Sequence, residues 1–141
     1  MTVSLHIDRL YGPAKREILK GLRAHIAGTV GKVDHRPLTI TLRHKGKIVG
    51  GLVGETFFGW LLVNLLWIAD QHRGKGFGKS LVEAAEAEAR KRGACGVYLD
   101  TFSFQAPAFY RKLGYTPVLE IAGFAPDIVH YTMMRRLAQQ T

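Results

Sequence analysis

The eight residues from Arg73 to Ser80 combine glycines at alternate positions with basic side chains. They follow an apolar run, Trp60 to Ala69, and lead into a helical pattern that extends from Phe77 to about Arg92. Free backbone N–H groups and the helix dipole attract anions to the first turn of a helix. Glycines let a backbone come close to a ligand and adopt positive φ angles. The stretch therefore predicts a phosphate-binding loop, and the alternative is a tight turn whose glycines only redirect the chain.

The two common nucleotide-binding motifs do not fit this loop. A P-loop, G-x-x-x-x-G-K-[ST], requires a glycine where the chain has Arg73. The dinucleotide motif G-x-G-x-x-G can begin at Gly76, but its third glycine is replaced by Leu81. We therefore expect the phosphate groups to belong to another kind of ligand.

A different spacing, R/Q-x-x-G-x-G/A, matches the chain from Arg73 to Gly78. A second frame, from Gln71 to Gly76, also matches, but the first frame places its last glycine at the start of the helix. Further along, residues 105–115 end in the sequence F-Y-R-K-L-G-Y. The two segments and their separation resemble the coenzyme A loop and a later segment of the GNAT superfamily of N-acetyltransferases. The resemblance extends over nearly the whole chain.

This resemblance implies an enzyme that transfers an acetyl group from acetyl-CoA to a primary amine of a small molecule or peptide. In such enzymes the amine attacks the thioester directly in a ternary complex, and no acyl-enzyme forms. Two other classes of function remain open. One is a non-catalytic acyl-CoA-binding or regulatory module. The other is a basic protein associated with nucleic acid.

The resemblance also assigns residues to coenzyme A. The backbone of Trp67 and Ile68, just before the loop, would pair with the pantetheine arm, and an N–H group there would polarise the acetyl carbonyl. Ser103 stands where relatives often have an asparagine that touches coenzyme A, seven residues before Tyr110. The residues assigned to the phosphate groups are Arg73, Gly74, Lys75, Gly76, Phe77, Gly78 and Lys79.

Tyr110 is the candidate general acid. Relatives often place a tyrosine in this helix near the sulfur of coenzyme A, where it can protonate the leaving thiolate. The alternative is a packed aromatic side chain, because Phe109, Tyr110 and Leu113 can form one buried face. The single cysteine, Cys95, lies between two small residues at a strand entrance. We expect it to be a small buried side chain and not a nucleophile.

The acceptor side of the site is less defined by the sequence. Asn64 interrupts the apolar run, and a buried amide needs partners, so it either bonds within the core or faces the ligand cleft. Glu55 and Asp100 are candidates for the general base, although the alternative for Glu55 is a solvated face. Many similar proteins have a P-P-G-H-like segment before the last strand, where this chain has Ala125 to Ile128. No acceptor is therefore carried over from them.

Apolar periodicity predicts the elements that carry these residues. A strand at Val3–Leu10 precedes a helix that begins at Pro13 and ends near Gly28. In the helix after the glycine loop, Glu86 and Glu88 are expected to pair with arginines four residues later on a solvated face. The other elements are a hairpin of Leu38–Leu42 and Lys47–Phe58, strands at Trp60–Ala69 and Gly96–Phe102, a short helix at Pro107–Gly114, and a hairpin of Tyr115–Ile121 and Ile128–Leu137.

The predicted order, β-α-β-β-β-α-β-α-β-β, is typical of a mixed α/β sandwich. With the resemblance it implies a single GNAT-like domain over residues 1–141, with a mixed, mostly antiparallel central sheet flanked by helices. A chain of 141 residues is long enough for one core and too short for a second fold. Glycines at 50, 51 and 54 in one strand indicate a bulge or the close approach of another backbone.

The composition limits which partners and which cellular compartment are expected. The net charge of +9 and pI of about 10.0 would suit nucleic acid, but the basic residues are spread along the chain, so we do not expect that partner. The six histidines never occur at metal-ligand spacing, so no metal is expected. With one cysteine, no signal-peptide pattern and no membrane-length apolar run, we predict a cytoplasmic protein without membrane contact. The resemblance alone implies a homodimer.

Overall fold

The computed structural model describes residues 2–138. The chain divides into two compact units, residues 1–33 and residues 34–141. A single domain over residues 1–141 stays a prediction. None of the helices in the described part of the chain is long and apolar enough to cross a membrane.

The N-terminal unit contains helix α1, Gly12–Val30. Pro13 lies in its first turn, as predicted, where the N–H that proline lacks would have no partner within the helix. The helix ends two residues beyond the predicted Gly28, and Gly31 then adopts φ 82°. The predicted strand at Val3–Leu10 is wrong, because the described residues before α1 contain no strand. A strand needs a partner edge for its backbone N–H and C=O groups, and the helix that makes up the rest of this unit offers none.

The larger unit contains one mixed sheet and two α-helices. Its strands are β1 Arg36–His44, β2 Lys47–Phe57, β3 Trp60–Ile68, β4 Gly96–Phe102, β5 Thr116–Ile121 and β6 His130–Arg136, and its helices are α2 Phe77–Lys91 and α3 Pro107–Lys112. The strand order is β1-β2-β3-β4-β6-β5, and every neighbouring pair is antiparallel except β3 and β4. A parallel pair requires a crossover, which α2 supplies. The predicted mixed, mostly antiparallel sheet is confirmed.

The glycines of β2 allow its two neighbouring strands to approach closely. A Cβ atom at Gly51 would lie 2.7 Å from the carbonyl oxygen of Ile40 in β1, and one at Gly50 would lie 2.8 Å from that of Trp67 in β3. The register between β1 and β2 also leaves Val49 of β2 without a partner, next to Gly50, so β2 is bulged there. Both expectations for this strand, a bulge and the close approach of another backbone, are therefore confirmed.

Helix α2 covers one face of the sheet and contributes to the core. Its buried apolar side chains pack with strand residues such as Leu52, Leu61, Val97 and Met133. The members from α2 itself are Leu81, Val82, Ala85 and Ala89.

Glu86 also lies on the buried face of α2, which corrects the prediction that it is solvated. Its side chain is 3% exposed and accepts hydrogen bonds from the Tyr115 hydroxyl, at 2.9 Å, and from Arg135 Nη1, at 2.9 and 3.1 Å. The predicted pair of Glu88 with Arg92 is present at 3.1 Å. Glu86 thus connects α2 to the start of β5 and to β6.

Candidate functional site

A cleft opens where β3 and β4 separate. The two strands pair in parallel only from Trp60 and Gly96 to Val63 and Leu99. Beyond these pairs each strand continues without the other. Asn64 has no partner in the register between β2 and β3, so it is the bulged residue at the point of separation.

The cleft has a volume of about 310 Å³ and is lined by residues of β3, β4, the turn before α3 and α3 itself. Six of the residues that line it are polar or aromatic: Asn64, Trp67, Asp100, Thr101, Gln105 and Tyr110. Asn64 is exposed, so of its two predicted alternatives the structure shows the cleft and not the core.

The backbone of β3 presents free groups to this cleft. The Ala69 N–H donates to Val49 in β2 at 2.8 Å. Because successive residues of a strand point their backbone groups to alternate edges, the Trp67 N–H also faces β2. The N–H groups of Leu66 and Ile68 therefore face the opening. Of the two residues assigned from the sequence, Ile68 directs its backbone to the cleft, and Leu66 is a further one that the sequence analysis missed.

The glycine loop joins the end of β3 to α2 through a short 3-10 turn, Asp70–His72. Gly74 and Gly76 adopt φ 75° and 84°, which is the left-handed region that favours glycine. Within residues 2–138, no backbone carbonyl accepts a hydrogen bond from the N–H groups of residues 74–79. Six consecutive donors at the N-terminus of α2 are therefore available to an anion.

Gly78 has a different reason to be glycine. A Cβ atom there would lie 3.1 Å from Cζ of Phe109 and 3.5 Å from Cδ1 of Ile68. The first turn of α2 and the aromatic ring from α3 are thus in close contact.

The basic side chains of the loop have distinct surroundings. Arg73 donates from Nε to the Ile68 carbonyl oxygen at 2.9 Å, and its Nη1 lies 3.2 Å from Asp70 Oδ1. Its guanidinium group therefore ties the loop to the end of β3. Lys79 is exposed and lies 3.8 Å from Glu83, one turn further along α2, so its charge is at the solvent side of the loop.

Lys75 and Phe77 are two further residues that the resemblance assigned to coenzyme A. Lys75 is exposed between the two left-handed glycines, and Phe77 is half-buried as the first residue of α2. The ring of Phe77 lies 6.4 Å from that of His72. Their backbone N–H groups belong to the six free donors described above.

Tyr110 lies on α3 and its side chain reaches the cleft. The residue is 7% exposed, and its ring contacts those of Phe109 and Tyr115 edge-on at 5.1 and 5.8 Å. Burial raises the pKa of its phenol to about 12, so the hydroxyl keeps its proton at neutral pH. Tyr110 is therefore a packed aromatic side chain that also lines the cleft, so its packing does not exclude the predicted role as general acid.

Ser103 and Glu55 lie outside the lining of the cleft. The Ser103 hydroxyl accepts a hydrogen bond from the Val129 N–H at 3.0 Å and so joins the turn after β4 to the segment before β6. Glu55 is on β2, with its carboxylate 3.2 Å from Nδ1 of His35. Neither side chain is brought together with Tyr110.

Asp100 is brought to the cleft, together with partners that the sequence analysis missed. Its Oδ1 accepts a 2.6 Å hydrogen bond from Thr132 and lies 3.4 Å from Nε2 of His130. Both partners are on β6, and only the register between β4 and β6 places them beside Asp100. No local sequence pattern contains this information.

The comparisons with known proteins agree with this geometry. The family model described as "Acetyltransferase (GNAT) domain" matches residues 36–117, which is more than half of the chain. The chain belongs to the GNAT acetyltransferase family. The match includes β1 to β4, the glycine loop and both helices of the larger unit.

Two relatives and one solved structure are also similar to this chain. The chain is 37% identical over 110 residues to the blasticidin-S acetyltransferase of Streptomyces morookaense, covering 74% of this chain and 81% of that protein. It is 41% identical over 106 residues to an acetyltransferase of Agrobacterium fabrum, covering 74% and 77%. The crystal structure of an acetyltransferase from Bacillus cereus superposes with a TM-score of 0.84 at 26% identity, over 94% of this chain and 98% of that one. This GNAT protein is thus an acetyltransferase, as the sequence predicted.

Proposed function

We propose that this GNAT protein transfers the acetyl group of acetyl-CoA to a primary amine of a small molecule by direct attack in a ternary complex. The observation that carries the proposal is the cleft between β3 and β4, which has the free amides of the glycine loop at one end and the Tyr110 side chain in its lining. The relative named for blasticidin S favours a small-molecule acceptor over a peptide.

The binding of coenzyme A follows from the free backbone donors. Its phosphate groups would accept hydrogen bonds from the N–H groups of residues 74–79, and the dipole of α2 would add to this attraction. The N–H groups of Leu66 and Ile68 would pair with the pantetheine arm and the acetyl carbonyl. A donor aimed at that carbonyl oxygen stabilises the charge that develops on it during attack.

Tyr110 would protonate the leaving thiolate. Its phenol is protonated at neutral pH and lies in the lining of the cleft, as a general acid requires. No acyl-enzyme is needed. Cys95 precedes β4 at the end opposite the cleft, and five strand residues at about 3.3 Å each put roughly 16 Å between Cys95 and Asp100.

The test is calorimetric titration of the purified protein with acetyl-CoA, coenzyme A and ATP, followed by a thiol-release assay. The assay offers acetyl-CoA and a panel of primary amines that includes blasticidin S, putrescine and ethylenediamine. We expect acetyl-CoA and coenzyme A to bind, ATP not to bind, and at least one amine to release thiol faster than buffer alone. A folded protein that binds no acetyl-CoA, or that binds it and uses no amine of the panel, would contradict the proposed function.

A further inference from the structure

Asp100 lines the cleft, and two residues of β6 hold its carboxylate in a defined position. Asp100 is the first residue of β4 beyond the last pair with β3, and in the register with β6 it lies opposite Thr132. The Thr132 hydroxyl donates to its Oδ1 at 2.6 Å, which is a short hydrogen bond for a hydroxyl and a carboxylate. Yet the Asp100 side chain is 56% exposed, so it remains accessible to a bound amine.

His130 supports the same carboxylate from two positions away on β6. Its Nε2 lies 3.4 Å from Asp100 Oδ1, while its side chain is only 16% exposed. The ring contacts Phe102 edge-on at 5.2 Å and stacks on Phe124 at 5.5 Å. Its Nδ1 is shielded from solvent and has no hydrogen-bond partner within the described chain. Aromatic packing and the Asp100 contact thus fix how the imidazole is oriented.

The other groups around Asp100 do not compensate its charge. On β4 itself the nearest titratable neighbour is Tyr98, whose phenol pKa is raised by burial and then by the charges of Asp100 and Glu55. On β5 the residue opposite Thr132 is Leu119, which carries no charge. Among the ion pairs of residues 2–138, His130 is the one partner of Asp100. An ammonium group in the cleft would therefore be attracted to Asp100.

We propose that Asp100, held in place by Thr132 and His130, receives the ammonium group of the acceptor and removes its proton. This inference rests on the proposed function. One proton of the ammonium passes to the Asp100 carboxylate, and the free amine attacks the thioester carbonyl. The new C–N bond forms and the C–S bond breaks. The nitrogen loses a second proton to water, and the thiolate takes the proton of Tyr110. Tyr110 then regains a proton from water, and Asp100 releases the proton it took to water, so both residues return to their starting forms.

Asp100 is better placed for this role than Glu55. Asp100 lines the cleft in which Tyr110 also lies, whereas Glu55 is on β2 and pairs with His35. Thr132 and His130 are positioning residues, because each acts on the reaction only through the carboxylate.

The test compares two nucleophiles in the thiol-release assay at pH 7. One is the panel amine, defined as the protonated primary amine of the panel that releases thiol fastest with the wild type. The other is hydroxylamine, which is largely unprotonated and needs no base to make it nucleophilic. We expect Asp100→Asn to lower kcat/KM for the panel amine about 100-fold, since general base catalysis contributes 10²–10⁴-fold. Its rate with hydroxylamine and its affinity for acetyl-CoA should stay within about threefold of the wild type.

The positioning role is tested by rescue with a conservative variant. Thr132→Val removes the hydroxyl that donates to Asp100 and should lower kcat/KM for the panel amine while leaving the rate with hydroxylamine unchanged. Thr132→Ser, which keeps the hydroxyl, should restore kcat/KM for the panel amine. Asp34→Asn is the control, as Asp34 is an exposed carboxylate that precedes β1. Both of its rates should match the wild type.

The outcomes separate this inference from the proposed function. Thiol release by the wild type together with an unchanged Asp100→Asn variant would overturn the role of Asp100 and leave the transferase intact. An equal loss with both nucleophiles would also overturn it, because it would show a structural effect. A wild type that binds acetyl-CoA and uses neither nucleophile nor any amine of the panel would overturn the transferase, and the inference with it.

Discussion

Cζ of Phe109 lies 3.1 Å from the point that a Cβ atom on Gly78 would occupy. Gly78 is in the first turn of α2, beside the loop with free amides, and Phe109 precedes Tyr110 on α3. The helix turn beside the loop proposed to bind phosphate therefore lies against the residue that precedes the proposed general acid. A change at this contact should move Tyr110 relative to the glycine loop.

We predict that Gly78→Ala lowers kcat more than it lowers the affinity for acetyl-CoA. The new methyl group displaces the Phe109 ring by a few tenths of an ångström, and Tyr110 follows Phe109 on α3. A misplacement of a catalytic group by about 1 Å costs as much as 10²-fold, so we expect this smaller shift to cost roughly two- to fivefold in kcat. The measurement is the rate of thiol release beside calorimetric titration with acetyl-CoA.

The control for this prediction is the double variant Gly78→Ala/Phe109→Leu. The shorter leucine makes room for the methyl group, so the double variant should recover part of the rate that Gly78→Ala loses. Phe109→Leu alone gives the baseline for a double-mutant cycle. Strictly additive effects would show that the two positions are not coupled.

The glycine loop gives a prediction about affinity. Gly76→Asp places a negative charge beside the six free amides and forces φ 84° on a residue with a Cβ atom. We expect acetyl-CoA to bind at least tenfold more weakly, a difference of about 1.4 kcal/mol. Gly46→Asp is the matched control, because Gly46 adopts φ 78° in the turn between β1 and β2. If both variants bind acetyl-CoA equally well, the loop does not hold the phosphate groups.

The local structure that the sequence predicted correctly depends on neighbours along the chain. The glycine loop and α2 are adjacent segments, so local spacing was sufficient to place Gly74 and Gly76 at the N-terminus of a helix. Glu86 was misplaced because the partner that neutralises it, Arg135, is 49 residues away on β6. The partners of Asp100 were missed for the same reason, because the register between β4 and β6 brings them beside its carboxylate. Such contacts exist only after the sheet has formed.

Local patterns also failed where they describe one strand without its partners. Residues 3–10 alternate well enough for a strand, yet their unit supplies no edge to pair with. Asn64 could be assigned to either core or cleft from the sequence. Its exposure follows from the bulge between β2 and β3, which depends on how the two strands are aligned. The alignment of strands is a property of the whole sheet.

Tyr110→Phe should separate catalysis from binding. The variant keeps the ring that packs between Phe109 and Tyr115 but lacks the proton proposed for the thiolate. We expect kcat to fall by about 10²-fold, the lower end for a lost general acid, with little change in the calorimetric affinity for acetyl-CoA. Turnover equal to the wild type would remove Tyr110 as the acid. If the Tyr110→Phe variant loses turnover but still performs the role of the wild type in cells, a non-catalytic acyl-CoA-binding module would be favoured.

Tyr110 should also make stability depend on alkaline pH. Its pKa is about 12 in the folded protein against an ordinary value of 10.0, so the unfolded chain loses the phenolic proton first. The contribution to the free energy of unfolding is therefore fully present below pH 10 and is lost as the pH rises to about 12. The loss is about 1.4 kcal/mol per pH unit in this window.

The comparison of wild type with Tyr110→Phe isolates this effect. Burial and the Glu86 carboxylate also raise the pKa of Tyr115, but that residue is present in both proteins and cancels in the difference. Urea unfolding at pH 8, 10 and 11 should show the free energy of unfolding of the wild type falling, relative to that of Tyr110→Phe, by about 1.3 kcal/mol between pH 8 and 11. A difference in stability that stays constant over this range would mean that the phenol of Tyr110 ionises equally easily in the folded and unfolded chain. The burial of this hydroxyl would then be contradicted, whereas its role as the acid would still be decided by the turnover of Tyr110→Phe, because an ordinary phenol also keeps its proton at neutral pH.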